Sequence, residues 1–309
     1  MFDVCLLGTG GMMPLPNRWL TACFMRYSGT SLLIDCGEGT QITMRLQGWS
    51  FKAIDYILFT HYHGDHISGL PGLLLTIGNS GRTEPVTLIG PRNLRRVVEG
   101  LLLIAPDLPF PIQYLELNGD TPVLELKDLV VTPFRADHGM PCFGYSVEIR
   151  RNEVLPEKAK ALGIPLPFWK ELQKGNTVEH EGAIYEPSMV LGEARRGLKV
   201  CYCTDSRPRD SIVNGVKAAD LFICEGMYGE EEKQTKAKEY RHMTFQEAAT
   251  MAKQANVKEL WLTHFSPSLI TPYQYLDEAR RIFPNTKVGK DRMTRVLKFA
   301  DEENAGVTE

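Results

Sequence analysis

The stretch Thr60-His61-Tyr62-His63-Gly64-Asp65-His66 constrains this chain more than any other. It places three imidazoles and one carboxylate within six residues. The apolar run before it, Tyr56-Ile57-Leu58-Phe59, reads as a buried strand, and residues 67 to about 78 read as a helix. The four polar residues therefore sit on a tight strand-to-helix turn. Side chains two apart there, His61 and His63, converge on one point, whereas Asp65 and His66 diverge from that pair. Such a turn suits two neighbouring metal ions better than one. Neutral imidazole and carboxylate favour zinc, with manganese or iron as the next choices. A lone histidine is usually a packing or surface residue; four ligand-type residues at this density are hard to explain as packing.

Two further strand-like runs end alike. Val200-Cys201-Tyr202-Cys203 leads to Thr204-Asp205, and Leu260-Trp261-Leu262 leads to Thr263-His264. His138 follows a strand-like run over 129–134. Strand ends that deliver such residues to a common sheet edge build a rigid site with loops above it. Of the seven histidines, five (His61, His63, His66, His138 and His264) fall at strand ends or the adjoining turn. His242 opens a helix expected over about 244–255, and His180 lies elsewhere.

Composition narrows the class. The chain has 309 residues, 43% hydrophobic and 24% charged, which suits a globular protein of one large domain or two modest ones. A net charge of -3 gives no global basic field that would advertise nucleic acid. The first residues carry no basic segment before an apolar one, and no apolar run is long enough to span a membrane. The seven cysteines lie mostly in apolar runs, which fits reduced, buried thiols in the cytoplasm better than a disulfide framework. Gly8-Thr9-Gly10-Gly11 follows a first strand but lacks the third glycine and the helix of a dinucleotide loop, so it reads as a flexible loop bordering a site. From about 150 to 197 prolines are frequent and apolar periodicity is weak. That stretch reads as an arm inserted into one domain covering 1–309. With seven basic and seven acidic residues between Arg151 and Gly197, the arm does not by itself predict a tight phosphate clasp.

The pattern His61-x-His63-x-Asp65-His66, followed by His138, Asp205 and His264, resembles the metallo-β-lactamase superfamily over almost the whole chain. Within it the chain is similar to the tRNase Z family. The Gly8-Thr9-Gly10 opening, Thr204-Asp205-Ser206-Arg207-Pro208, and His242-Met243-Thr244 before Leu262-Thr263-His264-Phe265-Ser266-Pro267 carry that closer match. The resemblance implies an αβ/βα four-layer sandwich: two mixed sheets back to back with helices outside. It implies one zinc on His61, His63 and His138, a second on Asp65, His66 and His264, and Asp205 bridging both. It further implies a hydrolase that cuts 3′ trailers from precursor tRNA, and a homodimer in which one subunit's arm clasps the other's substrate. Asp65 would take the proton of the attacking water. His242 would serve the leaving 3′ oxygen, and Glu225 would orient His242. Here the family's His-Glu-Ala-Thr is Cys224-Glu225-Gly226-Met227, so only the glutamate matches. Arg207 and Arg209, next to Asp205, are the better phosphate contacts. A dinuclear hydrolase of a small phosphodiester, lactone or thioester is the alternative, and a non-catalytic binding protein is a third reading.

Overall fold

Six strands and four helices alternate through the first half of the chain. They are β1 (Phe2–Gly8), β2 (Ala22–Tyr27), β3 (Thr30–Ile34), α1 (Thr40–Gln47), β4 (Tyr56–Leu58), α2 (Gly64–Ile67), α3 (Leu70–Asn79), β5 (Val86–Pro91), α4 (Leu94–Leu101) and β6 (Ile112–Leu117). Three antiparallel strands follow: β7 (Leu124–Leu126), β8 (Leu129–Arg135) and β9 (Phe143–Arg151). Between β9 and the next long strand lie α5 (Pro156–Ala161), α6 (Leu166–Gln173), the hairpin β10 (Val178–His180) with β11 (Ala183–Tyr185), and α7 (Pro187–Val190). The chain then completes the body with β12 (Arg195–Cys203), α8 (Asp210–Gly215), β13 (Leu221–Glu225), α9 (Gln234–Tyr240), α10 (Phe245–Gln254), β14 (Leu260–Thr263), α11 (Leu276–Ile282), β15 (Thr286–Val288) and β16 (Thr294–Leu297). This computed structural model describes residues 1–299 except 106, 120–121, 152–153, 174, 193–194 and 231–232. Glu153, Lys174 and Glu193 of the arm's charge balance lie outside the described residues.

The strands form two seven-stranded sheets. One runs β16-β1-β2-β3-β4-β5-β6 and the other β15-β14-β13-β12-β9-β8-β7. Each is mixed: β3 to β6 are parallel, as are β12 to β15, and the rest pair antiparallel. Alternation within a strand sorts its side chains between layers. Phe2, Val4 and Leu6 join Leu198, Val200 and Tyr202 between the sheets. Cys5 and Leu7 point outward under α1, α3 and α4, and Cys201 and Cys203 pack under α8 and α10. Both faces of these strands are covered, so they read as unbroken apolar runs. The result is the expected four-layer sandwich. The residues between β9 and β12 build a small cluster of their own from Val154, Ala159, Ile164, Leu172, Val178 and Val190.

The helix expected over 67–78 is two helices instead. At Gly69 the backbone N–H donates to Cys36 O at 2.9 Å, and a Cβ there would fall 2.3 Å from Gly37 O. The chain must press against the loop after β3, and Pro71 in the next first turn starts α3 afresh. The glycine loop differs too. It is tied down by bonds from Thr9 N and Gly10 N to Trp19 O and from Gly11 N to Phe265 O. All seven cysteines are buried free thiols.

Candidate metal centre

Parallel strands of one sheet end on the same edge, and that edge is where open α/β sheets build their sites. In the first sheet, β3 leads to Asp35, and β4 leads through Phe59 and Thr60 to His61. In the second, β12 leads to Asp205, β13 ends at Glu225 and β14 leads to His264, while β8 leads to His138. His61 and His63 lie on the loop before α2; Asp65 and His66 lie on α2 itself. Asp35, Asp205 and His264 leave their strands at φ of 59°, 51° and 56°. This left-handed backbone is uncommon outside glycine and clusters at functional sites.

The seven residues that the sequence singled out as ligands meet there. One group is His61, His63, His138 and Asp205; another is Asp65, His66 and His264. His61 Nε2 lies 3.0 Å from His63 Nδ1, and His138 Nε2 lies 3.2 Å from the same atom. His66 Nε2 and His264 Nε2 are 3.2 Å apart, and Asp65 Oδ2 is 3.3 Å from His264 Nε2. Nitrogens held about 2.0–2.1 Å from one tetrahedral zinc lie roughly 3.3 Å from each other. Asp205 divides its carboxylate between the groups. Oδ1 is 3.2 Å from His66 Nε2 and 3.1 Å from His264 Nε2; Oδ2 is 3.8 Å from His61 Nε2 and 3.6 Å from His138 Nε2. Asp205 Oδ1 is buried and has no hydrogen-bond partner. An orphaned buried carboxylate oxygen is costly unless a cation answers it. Burial, then the charge of neighbouring His66, pushes His61 well below its usual range, and burial pushes His138 down. Metal binding requires neutral rings, which His61 and His138 favour; His66 is pushed the other way, raised against burial by the Asp205 and Asp35 carboxylates. The residues fit a pair of divalent cations.

A second layer aims these side chains. Asp35, fully buried, accepts from Thr60 N at 2.8 Å, from Thr60 Oγ1 at 2.9 Å and from His66 Nδ1 at 2.9 Å. That contact turns His66 Nε2 toward the centre, as carboxylate partners of metal-bound histidines do. Thr60 Oγ1 also lies 3.1 Å from His61 Nδ1, and the Arg241 carbonyl lies 3.3 Å from His138 Nδ1. Met12 N donates to Asp65 Oδ2 at 2.7 Å, so the glycine loop reaches the site directly. The sequence reading missed Asp35. The signal in reach was a third strand end carrying an acidic residue, Asp35-Cys36-Gly37.

His242 forms a third group with Asp205 and His264. Its Nδ1 is 3.0 Å from Glu225 Oε2, and Glu225, fully buried, also accepts from Ser206 N. Burial would lower His242, but the Glu225 charge and hydrogen bond outweigh it and raise it to about 9. Backbone bonds fix its place: His242 N donates to Ala237 O at 2.8 Å, and Arg207 Nη1 donates to His242 O. Thr244 caps α10 in a reciprocal box with Glu247, and the Arg207 guanidinium pairs with that glutamate. Arg207, expected as a phosphate contact, thus serves as a brace for the His242 segment. The whole group opens into a cleft of about 600 Å³, lined also by Met12, Met13, Tyr228, Lys236 and Tyr240.

Comparison with known proteins bears on the family and the fold. The family described as anti-Pycsar protein Apyc1 matches residues 2–102. A curated relative named ribonuclease Z, from Lachnoclostridium phytofermentans, is 56% identical over 98% of this chain and 100% of its own length. Another of that name, from Agathobacter rectalis, is 58% identical over 98% of the chain and 100% of its own. The crystal structure of human tRNase Z, short form, superposes with a TM-score of 0.69 at 27% identity, covering 96% of this chain and 100% of that one. With full-length relatives at this identity and the metallo-β-lactamase fold in common, the chain belongs to the ribonuclease Z family.

Proposed function

We propose that this chain removes the 3′ trailer of precursor tRNA as an endoribonuclease working with two divalent ions, zinc in the first instance. His61, His63 and His138 would hold one ion, Asp65, His66 and His264 the other, and Asp205 would bridge them. The observation that carries this reading is the split of the Asp205 carboxylate between the two groups, with Oδ1 buried and unpartnered. When bound, two such ions acidify a shared water and neutralise charge on the phosphoryl oxygens.

The chain's own residues account for the remaining steps. Asp65 accepts the proton of the attacking water. The water oxygen forms a bond to phosphorus as the bond from phosphorus to the 3′ oxygen breaks, so the phosphate departs with the trailer. His242, protonated, donates to the leaving 3′ oxygen. Glu225 on Nδ1 keeps its ring charged and oriented. Seven buried thiols without a disulfide support a reducing, cytoplasmic setting. A homodimer is part of this reading, and sedimentation at working concentration tests it.

Cleavage of a precursor tRNA carrying a trailer, beside turnover of bis-p-nitrophenyl phosphate, tests the function. Wild type is expected to release the trailer, and Asp65→Ala to lose both activities by a factor of about 10³ or more. Turnover of the small ester with the precursor left whole would sink the nuclease reading.

A further inference from the structure

Beyond the ligand residues the cleft is lined by Met12, Met13 and residues 266–268, and by a wall of Tyr228 with Lys236 and Tyr240 of α9. On that wall Lys236 Nζ lies 5.8 Å from the Tyr228 ring centroid and 5.9 Å from that of Tyr240. Tyr228 is almost fully buried and serves as a floor, whereas Tyr240 is 53% exposed. Two nearby cations are engaged: Lys233 pairs with Glu230 and Arg241 with Asp137. Among the described residues no carboxylate lies within ion-pair distance of Lys236. The wall therefore offers an exposed aromatic ring beside an ammonium that pairs with no carboxylate among the described residues. Single-stranded nucleic acid is held by that combination, a base on the ring and a phosphate on the cation. The metal chemistry proposed above uses neither group.

We propose that Tyr240 and Lys236 form the subsite for the last nucleotide before the cut, the one whose 3′ oxygen is released. Resting on the nuclease reading, this assignment follows from His242. The bond from His242 N to Ala237 O makes the end of α9 and His242 one unit. A ribose whose 3′ oxygen takes its proton from His242 must lie against that unit. Its base then meets the Tyr240 ring, and its own 5′ phosphate lies toward Lys236.

The test is a cycle of enzyme and substrate changes on precursor tRNA. Tyr240→Ala is expected to lower kcat/KM about ten-fold, mainly through KM, and Tyr240→Phe to restore it. A precursor abasic at the last nucleotide before the cut loses a similar factor with wild type, and Tyr240→Ala loses nothing more on it. A precursor abasic at the first trailer nucleotide keeps its full sensitivity to Tyr240→Ala. Lys236→Gln is expected to make the slope of log kcat/KM against log salt shallower by about 0.7. Unchanged kcat/KM in Tyr240→Ala, or coupling to the trailer nucleotide instead, overturns the subsite while trailer cleavage by wild type leaves the nuclease standing. A wild type that spares the precursor and turns over only the small ester overturns both.

Discussion

His242 takes its charge mainly from Glu225, with smaller contributions from Asp205 and Asp65. Glu225 Oε2, 3.0 Å from Nδ1, lies on a buried side chain and raises the imidazole against the pull of burial. A donor to the leaving oxygen must be protonated, so activity falls as pH rises through the pKa of His242. Glu225→Gln keeps the shape and removes the charge. The alkaline limb of the kcat profile is therefore expected to move to lower pH, by about one to three units, with the acid limb in place. An alkaline limb that stays where it is would remove His242 from that role. The same residues show what a sequence can carry. The ligand-type residues were legible because imidazoles and a carboxylate at short spacing have few other uses. Asp35 was not, because an acidic residue ending a strand is ordinary. Its importance depends on a left-handed backbone and on Thr60 and His66 being brought to it. Through the family resemblance Glu225 was legible as the residue that would orient His242, and in the fold it faces that ring; Arg207 was legible only as a neighbour of Asp205, and the fold turns it to Glu247.

The loop after β1 illustrates how an element can be located without its state being known. Its glycines suggest freedom, yet Gly11 is small for a packing reason. A Cβ there would stand 2.7 Å from His264 Cε1 and 2.8 Å from Nε2, and that ring is fully buried. The ring cannot give way without leaving Asp65 and Asp205. Gly11→Ala must therefore shift either His264 or the stretch that carries Met12 N to Asp65. A displacement near 1 Å in such a site costs on the order of 10²-fold in rate. We expect a loss of that size in trailer cleavage, with the second metal equivalent weakened in a titration. Full activity with both equivalents bound would show that the loop yields freely. Other elements were missed for related reasons. The α8 and α9 helices span only six and seven residues, too short to show the apolar spacing that marks a helix. The break between α2 and α3 comes from a contact with the loop after β3, which no local pattern records.

At the scale of the molecule, the proposed ligand residues straddle the sandwich. His61, His63, Asp65 and His66 follow β4 of the first sheet; His138, Asp205 and His264 follow β8, β12 and β14 of the second. Each proposed ion would take ligands from both, so metal would act as a clasp between sheets otherwise joined through their apolar core. Asp205 Oδ1, buried and without a hydrogen bond, faces the His66 and His264 rings from the two sheets. Ligand that binds only the native state stabilises it by about 4 kcal/mol at a thousand-fold excess over Kd. At roughly 2–3 °C per kcal/mol for a chain of this size, chelation is expected to lower Tm on the order of 10 °C. Calorimetry before and after chelation, with zinc then returned, measures this. Asp205→Ala tests the clasp itself: it should start with a lower metal content and show a smaller change on chelation. If Tm is the same with and without metal in the wild type, the sheets are held by apolar packing alone. The closeness of the seven side chains would then not reflect ion binding, and the dinuclear reading would fail with it.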